Sequence, residues 1–158
     1  MGQWKGLEAN GQFRFTPPCH SLMGFRQALA EHEAEGGVAG RFERYSANFN
    51  VLKEGMAKLG FHPYLDEKAQ GVIITTFLFP DDKNFDFTKF YEALSDRGLV
   101  IYPGKLTKAD CFRLGTIGRL FPSDIQALVG AVKDVLEEMD VSLPVTQKHT
   151  ESDGVLTG

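Results

Sequence analysis

The sequence predicts an α+β domain, within the broad α/β class, in which helices cover one face of a small, mostly antiparallel sheet. Three observations carry this prediction. Residues 38–59 place apolar side chains at alternating intervals of three and four, the period of a core-facing helix. Residues 72–79 (VIITTFLF) form a β-branched, nearly continuous apolar run that is typical of a covered strand. Two further apolar runs, residues 99–102 and 112–118, are joined by a short polar loop, which predicts an antiparallel pair.

The first 37 residues differ from the rest of the chain. Residues 1–18 predict an irregular entry segment, because glycines recur in it and Pro17-Pro18 stiffens its end. Residues 19–35 predict a helix whose apolar face is formed, at helical spacing, by Leu22, Phe25 and Leu29. Gly36-Gly37 ends this helix. A compact domain seldom begins in this way, so we expect this segment to be the end of a larger unit.

The later elements follow from periodicity and from helix-ending residues. The helix over residues 38–59 carries the stripe Val38, Phe42, Tyr45, Phe49, Leu52, Met56 and Leu59. Such a stripe indicates a core-facing helix far more often than a cofactor site, and Gly60 fits the position just after its end. Asp86 is placed to cap the next helix, and Pro122-Ser123 opens a last helix. Residues 140–158 are polar and aperiodic, which predicts a flexible tail.

Length and composition limit the possible functions. A chain of 158 residues with 42% hydrophobic residues and thirteen phenylalanines forms one domain, or one domain and a piece of another. The net charge of -4 argues against a general nucleic-acid or anionic-membrane binder. Cys19 and Cys111 lie far apart without a C-x-x-C motif, so we expect reduced thiols in a cytoplasmic protein and no metal site. No apolar run is long enough to span a membrane, and the first residues lack a signal-peptide pattern.

Arg113 is the most informative residue, because it lies within a predicted buried strand. Its charge cannot be removed by deprotonation, so the guanidinium group needs an anionic partner. One alternative is a structural ion pair with an Asp or Glu, which is the more common situation for a buried arginine. The other is an anionic ligand, since the planar fork of donors matches a carboxylate or a phosphate-like group. The residues alone leave both alternatives open.

Few other residues suggest chemistry. Thr16 precedes a proline, so its backbone is held extended and its hydroxyl group is displayed from a stiff segment, although a loop threonine is the simpler interpretation. Lys105 faces either an anion or solvent, and Asp81-Asp82 indicates a solvated turn rather than a metal site. The four histidines, His20, His32, His62 and His149, lack the spacing of metal ligands. The sequence also lacks a nucleophile elbow, a Walker loop and a G-x-G-x-x-G motif.

Four stretches occur together in an order and spacing that resemble one enzyme family. They are residues 15–20 (FTPPCH), 33–39 (EAEGGVA), 100–107 (VIYPGKLT) and 110–118 (DCFRLGTIG). They resemble the C-terminal part of the 2-aminoethylphosphonate–pyruvate transaminases, which are class V, fold-type-I enzymes dependent on pyridoxal 5′-phosphate (PLP). The resemblance extends over nearly the whole chain, to about residue 139.

The resemblance implies a domain organisation and two site residues. Residues 1–37 would be the remnant of the large PLP-binding domain, residues 38–139 the small C-terminal domain, and residues 140–158 the tail. Arg113 would bind the carboxylate or phosphonate group of the substrate. Thr16 would reach the cofactor phosphate of the neighbouring subunit in a homodimer. The reaction would transfer an amino group from 2-aminoethylphosphonate to pyruvate, giving phosphonoacetaldehyde and alanine.

The chain also departs from the family. In the family, the Schiff-base lysine and the carboxylate that pairs with the pyridinium nitrogen both precede the Thr16 motif. Only fifteen residues precede Thr16 here, and Lys5 does not match the Schiff-base motif. Thr116 stands where family members often have Asn. We therefore expect no catalytic residue in this chain and no transamination by the chain alone.

Three functions follow as hypotheses. The first is the C-terminal part of a transaminase, with either a homodimer partner or a missing N-terminal half, and with an apolar surface left exposed. The second is a stand-alone module that binds a carboxylate or phosphonate through Arg113 without catalysis. The third is a purely structural interaction domain, which leaves Arg113 and Thr16 unexplained.

Overall fold

The structure is a computed structural model that describes residues 2–104 and 109–147. The chain divides into two compact units, Met1–Arg41 and Phe42–Gly158. The boundary between these two units follows Arg41.

The first unit contains α1 (Gly2–Asn10), α2 (Cys19–Ala34) and the start of α3 (Gly37–Lys58). The prediction of an irregular segment is wrong for α1, because the glycines within it do not break the helix. Instead, Gly11 ends it with a positive φ of 72°, and its N–H donates to the carbonyl of Leu7 at 2.8 Å. No described residue between 2 and 41 is buried. The helices of this unit therefore carry apolar side chains without a core of their own.

The second unit completes α3 and adds three strands and two helices. In chain order these are β1 (Ile74–Leu78), α4 (Phe87–Asp96), β2 (Tyr102–Pro103), β3 (Cys111–Gly115) and α5 (Pro122–Glu138). The three strands form one antiparallel sheet in the order β1-β3-β2. The predicted antiparallel pair is therefore confirmed, and β3 is the central strand of the sheet.

One face of the sheet is covered by helices. Phe77, Phe112 and Leu114 are buried on this face, and they share one apolar core with residues of α3, α4 and α5 such as Leu52, Phe90 and Val132. The predicted fold class is thus confirmed. The ring of Phe112 lies at the centre of this core, with ring centroids 5.5–6.3 Å from four other phenylalanines, namely Phe61, Phe77, Phe79 and Phe90.

The prediction that α3 is a core-facing helix is confirmed only for the C-terminal half of this helix. Leu52 and Met56 are completely buried, whereas Val38 and Phe42 are 79% and 59% exposed. The difference arises because the apolar core belongs to the second unit, which begins at Phe42. The predicted cap of α4 is confirmed, since the carboxylate of Asp86 accepts a hydrogen bond from the N–H of Lys89 at 3.1 Å.

The prediction of a flexible tail is wrong for residues 140–147, while residues 148–158 lie outside the described part of the chain. Val141 and Val145 are buried, and the N–H of Val145 donates to the carbonyl of Leu59 at 2.8 Å. The Gln147 side chain accepts from the N–H of His62 at 2.7 Å and donates to the Leu78 carbonyl at 3.2 Å. These partners are distant in sequence, so a local pattern does not show them.

Asp82 fixes the start of the same segment. One carboxylate oxygen of Asp82 accepts a hydrogen bond from the N–H of Asn84 at 2.9 Å, and the other accepts from the N–H of Ser142 at 3.1 Å. These two bonds, first that of Asn84 and then that of Ser142, hold the pKa of Asp82 below its ordinary value of 3.8. The folded state therefore favours the ionised carboxylate.

We expect the folded state to lose the stabilisation that the ionised Asp82 carboxylate provides when the solution becomes acidic. Its contribution is fully present above the ordinary pKa of 3.8 and is lost as the pH falls through the lowered pKa. Asp82→Asn is expected to flatten the dependence of the unfolding free energy on pH in this acid range, measured by urea denaturation at a series of pH values. Asp81→Asn is the control, because Asp81 is held through its backbone, whose N–H donates to the carbonyl of Thr146 at 2.7 Å. The substitution leaves this hydrogen bond in place. Equal pH slopes in the wild-type chain and in Asp82→Asn would contradict the assignment.

Candidate functional site

Arg113 lies in the middle of β3, the central strand of the sheet. Its neighbours Phe112 and Leu114 are buried against the helices. Because successive side chains of a strand point to opposite faces, the Arg113 side chain lies on the face that the helices leave uncovered. It is half-buried there.

The guanidinium group of Arg113 has few hydrogen-bond partners. Its Nη2 donates to the carbonyl oxygen of Pro103 at 3.3 Å, and its Nε is buried without a hydrogen-bond partner among the described residues. Within residues 2–104 and 109–147, Arg113 forms no ion pair with an Asp or Glu. A buried donor without a partner costs about 1–3 kcal/mol, so this arrangement favours an external anion over the structural ion pair.

The segment that holds Pro103 against Arg113 depends on Gly104. The N–H of Gly104 donates to the carbonyl of Cys111 at 2.8 Å. A Cβ atom at Gly104 would lie 2.0 Å from the sulfur of Cys111, so only glycine permits this close approach. Cys111 is buried, its thiol is free, and its sulfur lies next to Gly104. Lys105, the other predicted anion-facing residue, lies outside the described residues.

The chain that leaves β3 is fixed by two other side chains. Thr116 is buried, and its hydroxyl group donates to the carbonyl of Val72 at 2.9 Å. Thr116 thus serves the fold. Arg44 donates to the carbonyls of Gly118 and Leu120 at 2.7 Å and 3.0 Å. These bonds hold the end of β3, and with it Arg113, in a defined position.

Two residues that the sequence did not single out flank Arg113. Thr76 of β1 is paired with Arg113 on one side, and Tyr102 of β2 is paired with it on the other. The sequence contains no signal for this arrangement, because strand register depends on contacts between distant segments.

Thr16 lies in the first unit, in the connection between α1 and α2. It is exposed, and its hydroxyl group makes no hydrogen bond to another described residue. A hydroxyl group in this state is a suitable donor to a phosphate oxygen, so the residue present fits the phosphate of PLP. Arg113 and Thr16, the two predicted site residues, lie in different units of the chain.

The described residues offer no metal centre and no membrane helix. Among residues 2–104 and 109–147, no three His, Cys, Asp or Glu side chains are grouped so that they could hold a metal ion. His149 lies outside these ranges. No helix within them combines the length and the hydrophobicity that crossing a bilayer requires.

Sequence comparison identifies relatives of known function. The chain is 47% identical over 135 residues to the 2-aminoethylphosphonate–pyruvate transaminase of Vibrio cholerae serotype O1, a match that covers 85% of the chain. It is 49% identical over 134 residues, or 84% of the chain, to the enzyme of the same name from Phocaeicola vulgatus. The chain is a relative of the 2-aminoethylphosphonate–pyruvate transaminases. The resemblance predicted from the sequence is therefore confirmed. The match spans 37% of the length of each of these two transaminases.

Structural comparison agrees with this relationship, although no protein-family model matches the chain. The pyridoxamine–pyruvate aminotransferase of Mesorhizobium loti matches with a TM-score of 0.73 at 20% identity, over 84% of the chain described here and 34% of the enzyme. A variant of the serine palmitoyltransferase of S. paucimobilis, solved with a bound PLP–myriocin aldimine, matches with a TM-score of 0.54 at 18% identity, over 68% of the chain and 27% of the enzyme. At these identities the matches show the fold alone, which the chain shares with part of each of these two enzymes.

Proposed function

We propose that this chain supplies the substrate-binding arginine of a 2-aminoethylphosphonate–pyruvate transaminase. The reaction transfers an amino group from 2-aminoethylphosphonate to pyruvate and gives phosphonoacetaldehyde and alanine. The observation that carries the proposal is the guanidinium group of Arg113, which is half-buried on the uncovered face of the sheet and whose Nε has no partner in the described part of the chain. Both substrates carry an anionic group that this planar fork of donors can bind.

Thr16 is proposed to donate to the phosphate group of PLP across a homodimer interface. PLP, when bound, supplies the electron sink that amino transfer requires. No residue of this chain is proposed as the Schiff-base lysine, since Lys5 does not match the family motif. Amino transfer is therefore proposed to need additional polypeptide, in a cytoplasmic enzyme whose large domain includes residues 1–37.

The exposed apolar side chains of the first unit support this organisation. Eight large hydrophobic residues of this unit are each at least half exposed, namely Trp4, Phe13, Phe15, Leu22, Met23, Phe25, Leu29 and Val38. Such a concentration of apolar surface is typical of a face that other polypeptide covers. The relatives extend well beyond the matched region, so they contain the polypeptide that could cover it.

We expect Arg113→Gln to weaken the binding of phosphonoacetate to the purified chain by about tenfold or more. This magnitude follows from the loss of charge-assisted hydrogen bonds, which contribute about 1.5–3 kcal/mol each. Isothermal titration calorimetry of both proteins measures the change. Arg113→Lys is expected to recover little of the affinity, because it keeps the charge but loses the planar fork.

Arg119→Gln is the matched control for this experiment. It removes the same charge from an exposed residue just beyond β3. We expect it to leave the affinity for phosphonoacetate within about twofold of the wild-type value, because the charge of an exposed side chain is screened by solvent and salt. Unchanged affinity in Arg113→Gln, or equal losses in both variants, would exclude Arg113 as the anion site.

A further inference from the structure

Three polar side chains form one row across the uncovered face of the sheet. In the register of the strands, Thr76 of β1 is opposite Arg113, and Tyr102 of β2 is opposite Arg113 on its other side. Directly opposed residues of an antiparallel pair project from the same face, with Cβ atoms about 4.5–5.5 Å apart. The guanidinium group is therefore flanked by a hydroxyl-bearing side chain on each side.

The neighbouring rows of this face are not polar in the same way. Ile74 is opposite Gly115, and Leu78 is opposite Cys111. The Thr76–Arg113–Tyr102 row is thus bordered by small or apolar side chains, so its donors are concentrated along one line. A ligand anion at Arg113 would find its further hydrogen-bond partners along this row.

The two hydroxyl groups are available to a ligand. Within the described residues, neither the Thr76 hydroxyl nor the Tyr102 hydroxyl is used in a hydrogen bond, and Tyr102 is 60% exposed. The bond from Arg113 Nη2 to the Pro103 carbonyl draws the guanidinium group towards β2, the strand that carries Tyr102. Tyr102 is therefore better placed than Thr76 to share an anion with Arg113.

The number of donors in the row distinguishes two classes of anion. A carboxylate has two oxygens in one plane, and the fork of one arginine satisfies both. A phosphonate has three oxygens arranged around a tetrahedral phosphorus atom, so one oxygen remains outside the plane of the fork. A hydroxyl group beside the guanidinium group can donate to that oxygen, whereas the lone pairs that a bound carboxylate has left lie in the plane of the fork.

We propose that Tyr102, assisted by Thr76, makes this site selective for a tetrahedral phosphonate over a planar carboxylate. The proposal rests on the proposed function of Arg113 as the anion-binding residue and deepens it by naming the group that the site prefers. Tyr102 and Thr76 are specificity-determining residues in this scheme, and Arg113 supplies the affinity that both anions share.

The test compares two small anions that differ only in their charged group, methylphosphonate and acetate. Each is titrated into the full chain and into its variants, with affinities taken from the shifts of backbone amide signals in NMR spectra. In Tyr102→Phe, which removes only the hydroxyl group, we expect methylphosphonate to bind about tenfold more weakly and acetate to change by less than about twofold. In Thr76→Val we also expect methylphosphonate to lose more affinity than acetate, but the loss should be smaller than in Tyr102→Phe.

Tyr91→Phe is the control, because it removes a hydroxyl group from α4, which packs against the covered side of the sheet. It should change neither affinity. Equal losses for the two anions in Tyr102→Phe, or no loss in either variant of the row, would overturn the proposal while leaving Arg113 as the anion site. Unchanged binding of both anions in Arg113→Gln, or no binding of either anion by the wild-type chain, would instead overturn the proposed function on which it rests.

Discussion

Replacing Phe112 with alanine is expected to destabilise the second unit by about 3–5 kcal/mol. Phe112 is completely buried, and its ring contacts those of Phe61, Phe77, Phe79 and Phe90. Removing the ring loses the burial of a large apolar surface and leaves a cavity at the centre of the core. Urea denaturation, followed by far-ultraviolet circular dichroism, measures the change in unfolding free energy.

The matched control is Phe42→Ala, the same substitution at a side chain that is 59% exposed. We expect it to change the unfolding free energy by less than about 1 kcal/mol, because little apolar burial is lost. Similar losses in the two variants would mean that Phe112 is not the centre of the core. Phe112→Leu fills part of the cavity, so we expect a smaller loss of stability and retained anion binding at Arg113.

This prediction connects the core to the site, because β3 presents Phe112 to the helices and Arg113 to the opposite face. The sequence placed both residues in one buried strand and predicted an anionic partner for Arg113. It did not decide between an ion pair and a ligand. That choice depends on which acidic side chains lie near the guanidinium group, and this follows from packing between distant segments.

Other elements show where sequence reasoning succeeds. The burial of Leu52 and Met56 in α3 and the cap at Asp86 depend on residues close together in the chain, and both were predicted correctly. The boundaries of the strands were less accurate, because pairing with a partner strand determines where each one begins and ends. The Tyr102–Arg113 and Thr76–Arg113 pairs escaped prediction for the same reason.

Residues 140–147 show the opposite case, in which a polar and aperiodic stretch is nevertheless fixed. Its order comes from bonds to Leu59, His62 and Asp82, which lie far back in the chain. Periodicity reports only whether a segment forms a regular element, so it contains no information about an irregular segment that packs by individual contacts. The residue that makes room for this segment is Gly60.

Gly60→Ala is expected to destabilise the second unit by about 2–5 kcal/mol, through two separate effects. Gly60 ends α3 with a φ of 93°, a left-handed conformation that costs a residue with a Cβ atom about 1–2 kcal/mol. A Cβ atom there would also lie 2.2 Å from the carbonyl oxygen of Val145, so the Val145 backbone must move. Such overpacking costs about 1–3 kcal/mol. Urea denaturation measures the total.

Gly98→Ala separates the two effects, because Gly98 also ends a helix with a positive φ, of 78°, but has no other atom within 4 Å of the added Cβ. We expect this control to show only the backbone effect, about 1–2 kcal/mol. The excess loss in Gly60→Ala then measures how strongly residues 140–147 are held against the end of α3. In hydrogen exchange, the amide of Val145 should lose protection in Gly60→Ala and keep it in Gly98→Ala, because its bond to Leu59 lies beside the added methyl group. If the two variants lose equal stability and Val145 keeps its protection in both, the segment is not packed against Gly60 in solution.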